Sequence, residues 1–245
     1  MIIVKLSKCS LKLYVVVDRE SIREDMIPVH GLSLLLEVQS VKALFRILFG
    51  VGPLSSVLIN NLSSLGYKLS DIDVIVLPIN SNALIGSFHD IIRIIPNVTL
   101  VVSPSINIGF PDMNVTRVHR TVQLLDCCLV LPPLGPRGEL VLAVNTYSGL
   151  VVVIPCSHVG LLRTIKHVIS QLKVKEIYGI VGGFHLSVFD VLTFNDLKSL
   201  SRKLNVEVII PLYCTGFKAR DKVLKLLKGN YIHSLGAGCG LEYKF

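Results

Sequence analysis

One repeated unit constrains this chain more than anything else in it. A short β-branched run is followed by a turn rich in glycine or proline, and then by a helical pattern. Ala43–Phe49 leads into Gly50-Val51-Gly52-Pro53 and a helix over Pro53–Leu65, where Leu54, Val57, Leu58 and Leu62 recur at helical spacing and Gly66 stops the pattern. Leu150–Pro155 leads in the same way into an amphipathic helix over Val159–Leu172. The runs are too short for helices, and their apolar continuity suits strands covered on at least one face. Further strands are expected at Ile2–Lys5, Lys12–Val17, Leu32–Val38, Val74–Leu77, Thr99–Ser103, Gln123–Leu131, Leu140–Asn145, Glu176–Val181, Val206–Pro211, Tyr231–Ser234 and Leu241–Phe245. Asn82–Ile92, Asn195–Leu204 and Phe217–Lys228 read as helices, and Pro132–Gly138 as a loop. Asp112–His119 reads as a connection of weak pattern. Two similar halves ending in strand–helix units predict two packed sheets flanked by helices, an α/β fold. With no linker between the halves, one domain over residues 1–245 is expected.

Apolar residues make up 51% of the 245 and charged residues 17%, which excludes disorder. A mean hydropathy of +0.63 raises the question of a membrane. The two most apolar stretches answer it. Ile91–Ile108 is broken by Arg93, Pro96 and Asn97, and Leu140–Pro155 by Asn145 and Gly149, so neither supplies the ~18 uninterrupted apolar residues a spanning helix needs. Met1–Leu6 lacks the basic-then-apolar layout of a signal peptide, and a cytoplasmic location is expected. The six cysteines form no Cys-x-x-Cys pair and read as reduced, mostly buried thiols. The net charge of +8 favours anionic partners, although the basic residues of the C-terminal third also suit the solvated faces of helices.

Particular strings mark the turns. His30-Gly31-Leu32-Ser33 precedes a strand, and Ile47-Leu48-Phe49-Gly50-Val51-Gly52 precedes a helix. Ile154-Pro155-Cys156-Ser157-His158-Val159-Gly160 leads into another helix. Val181-Gly182-Gly183-Phe184-His185-Leu186 and Pro211-Leu212-Tyr213-Cys214-Thr215-Gly216 follow later strands. In this order and spacing the chain resembles the metallo-β-lactamase superfamily, and within it the branch of the dihydropterin–ribofuranosylaminobenzene phosphate synthases. The resemblance implies a four-layered αβ/βα sandwich of two mixed β-sheets, with metals held at one edge of both sheets.

The departures from that pattern are chemical. In relatives the strand after the first helix ends in a Ser-His-x-His-x-Asp-His string, and its four ligand positions fall here on Ile79, Ser81, Ala83 and Leu84. Three of these side chains have no donor atom, and a serine hydroxyl is a poor zinc ligand. The supporting aspartate of the family's turn is Gly50 here, and the late histidine is Tyr213. A dinuclear centre needs roughly three protein ligands per metal, so metal-dependent hydrolysis or transfer of the family type is expected to be absent.

His158 and His185 survive, with Cys156 and Cys214 beside the former site, and His158, His185 and Cys214 are the candidate ligands. They read in two ways: as ligands of a single zinc or iron, with Tyr213 an alternative third ligand, or as loop residues packed where a metal once sat. Cys156 is a reactive thiol near a helix start or a buried structural one. His89 and Asp90 are substitute ligands or a surface pair, and His30 a strand cap. Gly183, Thr215 and Gly216 lie at turns able to present N–H groups to an anion, with Lys218 and Arg220 following. The leading expectation is therefore a degenerate family member without a cofactor, binding an anionic small molecule or a protein partner and able to self-associate. An enzyme with a rebuilt mononuclear site is the alternative. An RNA-binding scaffold comes third, because the chain has no aromatic RNA-recognition motif and no Arg/Gly tract.

Overall fold

The computed structural model describes residues 6–41, 43–107, 109, 113–187, 189–226, 238–240 and 242–245, with the backbone alone at 191–193, 200, 201, 224 and 226. The first sheet contains β1 (Ser10–Val17), β2 (Ser33–Gln39), β3 (Leu44–Phe49), β4 (Val74–Leu77), β5 (Thr99–Val102) and β6 (Val115–Arg117). The second contains β7 (Val122–Leu125), β8 (Cys128–Val130), β9 (Leu142–Asn145), β10 (Leu150–Ile154), β11 (Gly179–Gly183) and β12 (Val208–Leu212). The last strand, β13 (Glu242–Lys244), returns to pair antiparallel with β1. The strand orders are β13-β1-β2-β3-β4-β5-β6 and β12-β11-β10-β9-β8-β7. Each sheet changes from antiparallel to parallel pairing, at β3 in the first and at β10 in the second.

The helices are α1 (Ser55–Ser64), α2 (Asn82–Ile85), α3 (Phe88–Ile94), α4 (Leu161–Leu172), α5 (Val191–Lys203) and α6 (Phe217–Leu226). Two mixed sheets flanked by helices are the architecture that the sequence pattern and the resemblance implied. Among the described residues, no helix is long and apolar enough to cross a membrane.

The period-2 geometry of a strand explains why the second sheet reads as unbroken apolar runs. Val151 and Val153 of β10 join the core between the sheets, while Leu150, Val152 and Ile154 join a second core under the helices. In β12, Val208, Ile210 and Leu212 face the first core and Ile209 the second. Leu161, Ile165 and Val168, one stripe of α4, cover the second core.

Several expected elements differ. Asn82–Ile92 is two helices, because Ser87 turns inward and donates its hydroxyl to the Val51 carbonyl at 2.6 Å. Gln123–Leu131 is a hairpin with its bend at Asp126-Cys127. Within Asp112–His119 lies β6, an edge strand of three residues whose pattern is too short to read. The strand expected at Glu176–Val181 is observed two to three residues later, as β11. The strands expected at Ile2–Lys5 and Tyr231–Ser234 lie outside the described residues.

Candidate metal centre

The segment after β4, residues 78–86, contains no His, Cys, Asp or Glu side chain. Ile79 and Leu84 are fully buried in the core between the sheets, with Ala83 packed against it. The backbone is stitched down as well: Leu32 N–H donates to the Ala83 carbonyl at 3.0 Å and Val51 N–H to the Leu84 carbonyl at 2.7 Å. Ser81 precedes α2, and its carbonyl accepts the N–H of Leu84. Gly50 has φ of 73°, and a Cβ there would stand 2.7 Å from the Leu32 carbonyl oxygen. The four positions therefore supply apolar packing and backbone hydrogen bonds where relatives carry ligands, and they do not fit a dinuclear centre.

A different cluster forms at the C-terminal ends of β10, β11 and β12, three adjacent strands in parallel register. Cys156 follows β10, His185 follows β11 and Cys214 follows β12. Cys156 Sγ lies 3.2 Å from Cys214 Sγ and 3.4 Å from His185 Nδ1. The ligand atoms of all three residues lie within 4.8 Å of one another, the one such group of three among the described residues.

Two local features make this meeting possible. Gly183, at the end of the middle strand, leaves space where a Cβ would be 2.6 Å from Cys214 Sγ, from the Pro155 carbonyl and from the Tyr213 ring. Ser157 and His185 both adopt left-handed backbone, at φ of 60° and 50°. Such conformations cost about 1–3 kcal/mol for a non-glycine residue and collect at functional sites.

The electrostatics are asymmetric. The Cys156 thiol is lowered to about 7, first by a hydrogen bond from Cys214 and then by the Tyr213 hydroxyl and His185, against the opposing effect of burial. Burial raises Cys214 and Tyr213, and the neighbouring sulfurs raise them further. One thiolate shared among several donors is the arrangement this site favours.

His158 stands beside this group, its ring 4.9 Å from that of His185, but it is otherwise engaged. Its Nδ1 pairs with the buried carboxylate of Glu139, which also accepts the backbone N–H groups of Ser157 and His158, each at 2.8 Å. Its Nε2 is 3.3 Å from Arg137 Nη1. Sequence reasoning missed both Glu139 and Arg137, and neither lies in a motif that would have signalled them.

The proposed anion residues do not converge. Thr215 is buried, and its hydroxyl accepts the Phe184 N–H. The N–H groups of Thr215 and Gly216 donate to the Leu212 and Leu186 carbonyls. Lys218 is exposed on α6, beside Asp221 and Lys222. Arg220 is 4% exposed, and its guanidinium meets both oxygens of fully buried Asp18 at 3.3 Å, Glu20 at 3.0 Å and the Thr215 carbonyl at 3.1 Å. It braces the turn that carries Cys214 and does not face a cleft. His89 and Asp90 are exposed, with Asp90 accepting the Ser55 hydroxyl, and the His30 ring packs 5.5 Å from that of Tyr213.

No family model matches the chain. It is 25% identical to 7,8-dihydropterin-6-methyl-4-(β-D-ribofuranosyl)-aminobenzene-5′-phosphate synthase of Methanocaldococcus jannaschii over 254 aligned positions, covering 82% of this chain and 86% of the relative. Its fold matches a metal-dependent hydrolase of the β-lactamase superfamily with a TM-score of 0.75 at 21% identity, over 95% of this chain and 98% of the other. It also matches the metallo-β-lactamase fold protein YhfI of Bacillus subtilis with a TM-score of 0.62 at 10% identity, over 96% and 100%. The chain therefore has the metallo-β-lactamase fold and is a distant homologue of the synthase.

Proposed function

We propose that this protein has lost the dinuclear centre of its superfamily and holds one soft metal ion, zinc by its donor set, on Cys156, His185 and Cys214. The observation that carries the reading is the spacing of the donors. A tetrahedral zinc with Zn–S near ~2.3 Å and Zn–N near ~2.0 Å places sulfurs ~3.8 Å apart and sulfur ~3.5 Å from nitrogen. The distances here are 3.2 and 3.4 Å, so the sulfurs need separate only slightly.

Two thiolates and one imidazole leave a fourth position open, the donor count of catalytic rather than structural sites. An ion held there supplies Lewis acidity toward a bound water or an oxygen of the substrate. The chain's own groups do the rest. The Tyr213 hydroxyl helps to lower the Cys156 thiol, and Glu139 fixes the His158 ring at the edge of the site. Arg137 brings a cation against His158, which favours an anionic substrate. A phosphorylated small molecule accords with the 5′-phosphate in the name of the synthase relative. The reaction class we propose is metal-assisted hydrolysis or group transfer at a single ion.

A second reading is a binding protein without chemistry. The apolar filling at Ile79 and Leu84 favours it. Metal content measured by plasma mass spectrometry on protein purified without chelator separates the two. One zinc or iron per chain, lost in Cys156→Ala and in Cys214→Ala, supports the mononuclear centre. Metal far below one per chain sinks it and leaves the binding role for an anionic ligand or a protein partner.

A further inference from the structure

The two sulfurs of the proposed centre support a step beyond it, and this inference rests on that reading only in sharing them. We infer that Cys156 and Cys214 are a modification site, a dithiol that hydroperoxides convert to a reversible disulfide, emptying the metal position as they do so.

The geometry is specific. β10 and β12 are not neighbours, because β11 runs between them. Thiols at their ends meet only because both loops bend inward over Gly183, where a side chain would stand 2.6 Å from Cys214 Sγ. From 3.2 Å, the sulfurs need to approach by roughly 1.2 Å to reach a bonded distance of ~2.05 Å. Cys214 is partly exposed and gives a small oxidant access, while Cys9, Cys127, Cys128 and Cys239 are completely buried.

The chemistry balances with a hydroperoxide as oxidant. One sulfur attacks the peroxide O–O bond and becomes a sulfenic acid, and its proton leaves with the departing oxygen as water or alcohol. The second thiol then attacks the sulfenic sulfur, forming the S–S bond and releasing water with its own proton. His185 Nδ1, 3.4 Å from Cys156 Sγ, is placed to relay the proton in either step. The disulfide has no thiolate to offer, so two of three ligands disappear together.

The test uses the full chain stripped of metal by a chelator and treated with hydrogen peroxide, followed by non-reducing peptide mapping by mass spectrometry. The expected product is a Cys156–Cys214 disulfide that a dithiol reductant reverses, with zinc uptake by the reduced protein and none by the oxidised one. Gly183→Ala, whose methyl group wedges between the loops, is expected to lose the disulfide. If that variant fails to fold, Cys214→Ser takes its place, with Cys156 expected to accumulate as a sulfenic acid trapped by a dimedone-type reagent. A disulfide at Cys9–Cys127 instead, or both thiols intact after peroxide, overturns the inference. Zinc uptake by the reduced protein without disulfide formation overturns it while leaving the metal centre standing. Disulfide formation without zinc uptake supports the dithiol as a modification site, and overturns both the metal centre and its emptying by oxidation.

Discussion

Replacing Arg220 with methionine tests the brace behind the site. Met keeps most of the volume, so the cavity contribution is small. The electrostatic contribution is large. Asp18 is fully buried, and its two oxygens face the guanidinium at 3.3 Å. Removing one partner of such a pair strands a buried charge and costs about 3–5 kcal/mol. The contact to Glu20, which is 34% exposed, contributes within ~1 kcal/mol. At about 2–4 °C per kcal/mol for a chain of this size, the midpoint of thermal unfolding should fall by roughly 6–20 °C. Circular dichroism melts check this, and adding Asp18→Asn to the variant should recover much of the loss by removing the stranded charge. The pH dependence has a defined sign. Burial already pushes the Asp18 carboxyl up, and Arg220 is the main opposing influence. Without Arg220 the folded-state value rises further above the unfolded one. The variant should therefore be least destabilised on the acid side, losing stability as pH rises from ~4 through the raised value. The Tyr213 N–H also donates to Asp18 at 2.6 Å and Arg220 to the Thr215 carbonyl, so metal affinity should weaken too. A shift under about 2 °C would refute the reasoning, since it would give the buried pair only the value of a surface one.

Other outcomes are expected from the same contacts. Glu139→Gln turns an amide N–H toward one of the Ser157 and His158 backbone N–H groups and should cost about 1–3 kcal/mol by leaving a buried donor unpaired, read by urea unfolding. In metal-free protein the ultraviolet absorbance of one thiolate should titrate near 7, vanish in Cys156→Ser and move to higher pH in Cys214→Ala. Because that thiol is depressed on folding, the stability it contributes should be present at alkaline pH and disappear as pH falls through about 7. Leu84→His, which reinstates one family ligand, should add no bound metal and should cost about 2–4 kcal/mol, because the imidazole enters an apolar core without a partner.

The fold was legible where burial is two-sided. Leu150–Ile154 and Val208–Leu212 show it best, because strands covered on both faces leave apolar runs that only a sheet core explains. Breaks set by tertiary contact were not legible. Nothing local announces that Ser87 will bond the Val51 carbonyl and split a helix. The site divides in the same way. Cys214 and His185 sit in turns at strand ends, where sequence reasoning looks for chemistry. Glu139 is a lone acid in an apolar stretch, and Arg220 read as a cation free to bind an anion because its partner Asp18 lies 202 residues away. Isolated charges take their meaning from what folds against them, and no window along the chain contains that information.

The placement of the donor side chains has its own logic. Of the positions that depart from the family pattern, Gly50, Ile79, Ala83 and Leu84 follow β3 and β4 in the first sheet, and Tyr213 alone follows a strand of the second. The grouped donors, Cys156, His185 and Cys214, all follow strands of the second. A centre with ligands from both sheets needs an edge open between them. Here Ile79 and Leu84 are fully buried members of the core between the sheets. On the proposed reading, the metal position lies on one sheet, where the parallel register of three adjacent strands brings its ligands to one end. Its geometry then depends on β10–β11–β12 pairing, on the space above Gly183 and on the contact of Arg220 and the Tyr213 N–H with Asp18 at the end of β1, and little on the rest of the first sheet. Mild destabilisation of the first sheet, as by Ile47→Val at about 0.5–1.5 kcal/mol, should thus lower the unfolding midpoint while leaving metal affinity unchanged. A matched loss of metal affinity in that variant would mean that the first sheet still shapes the site.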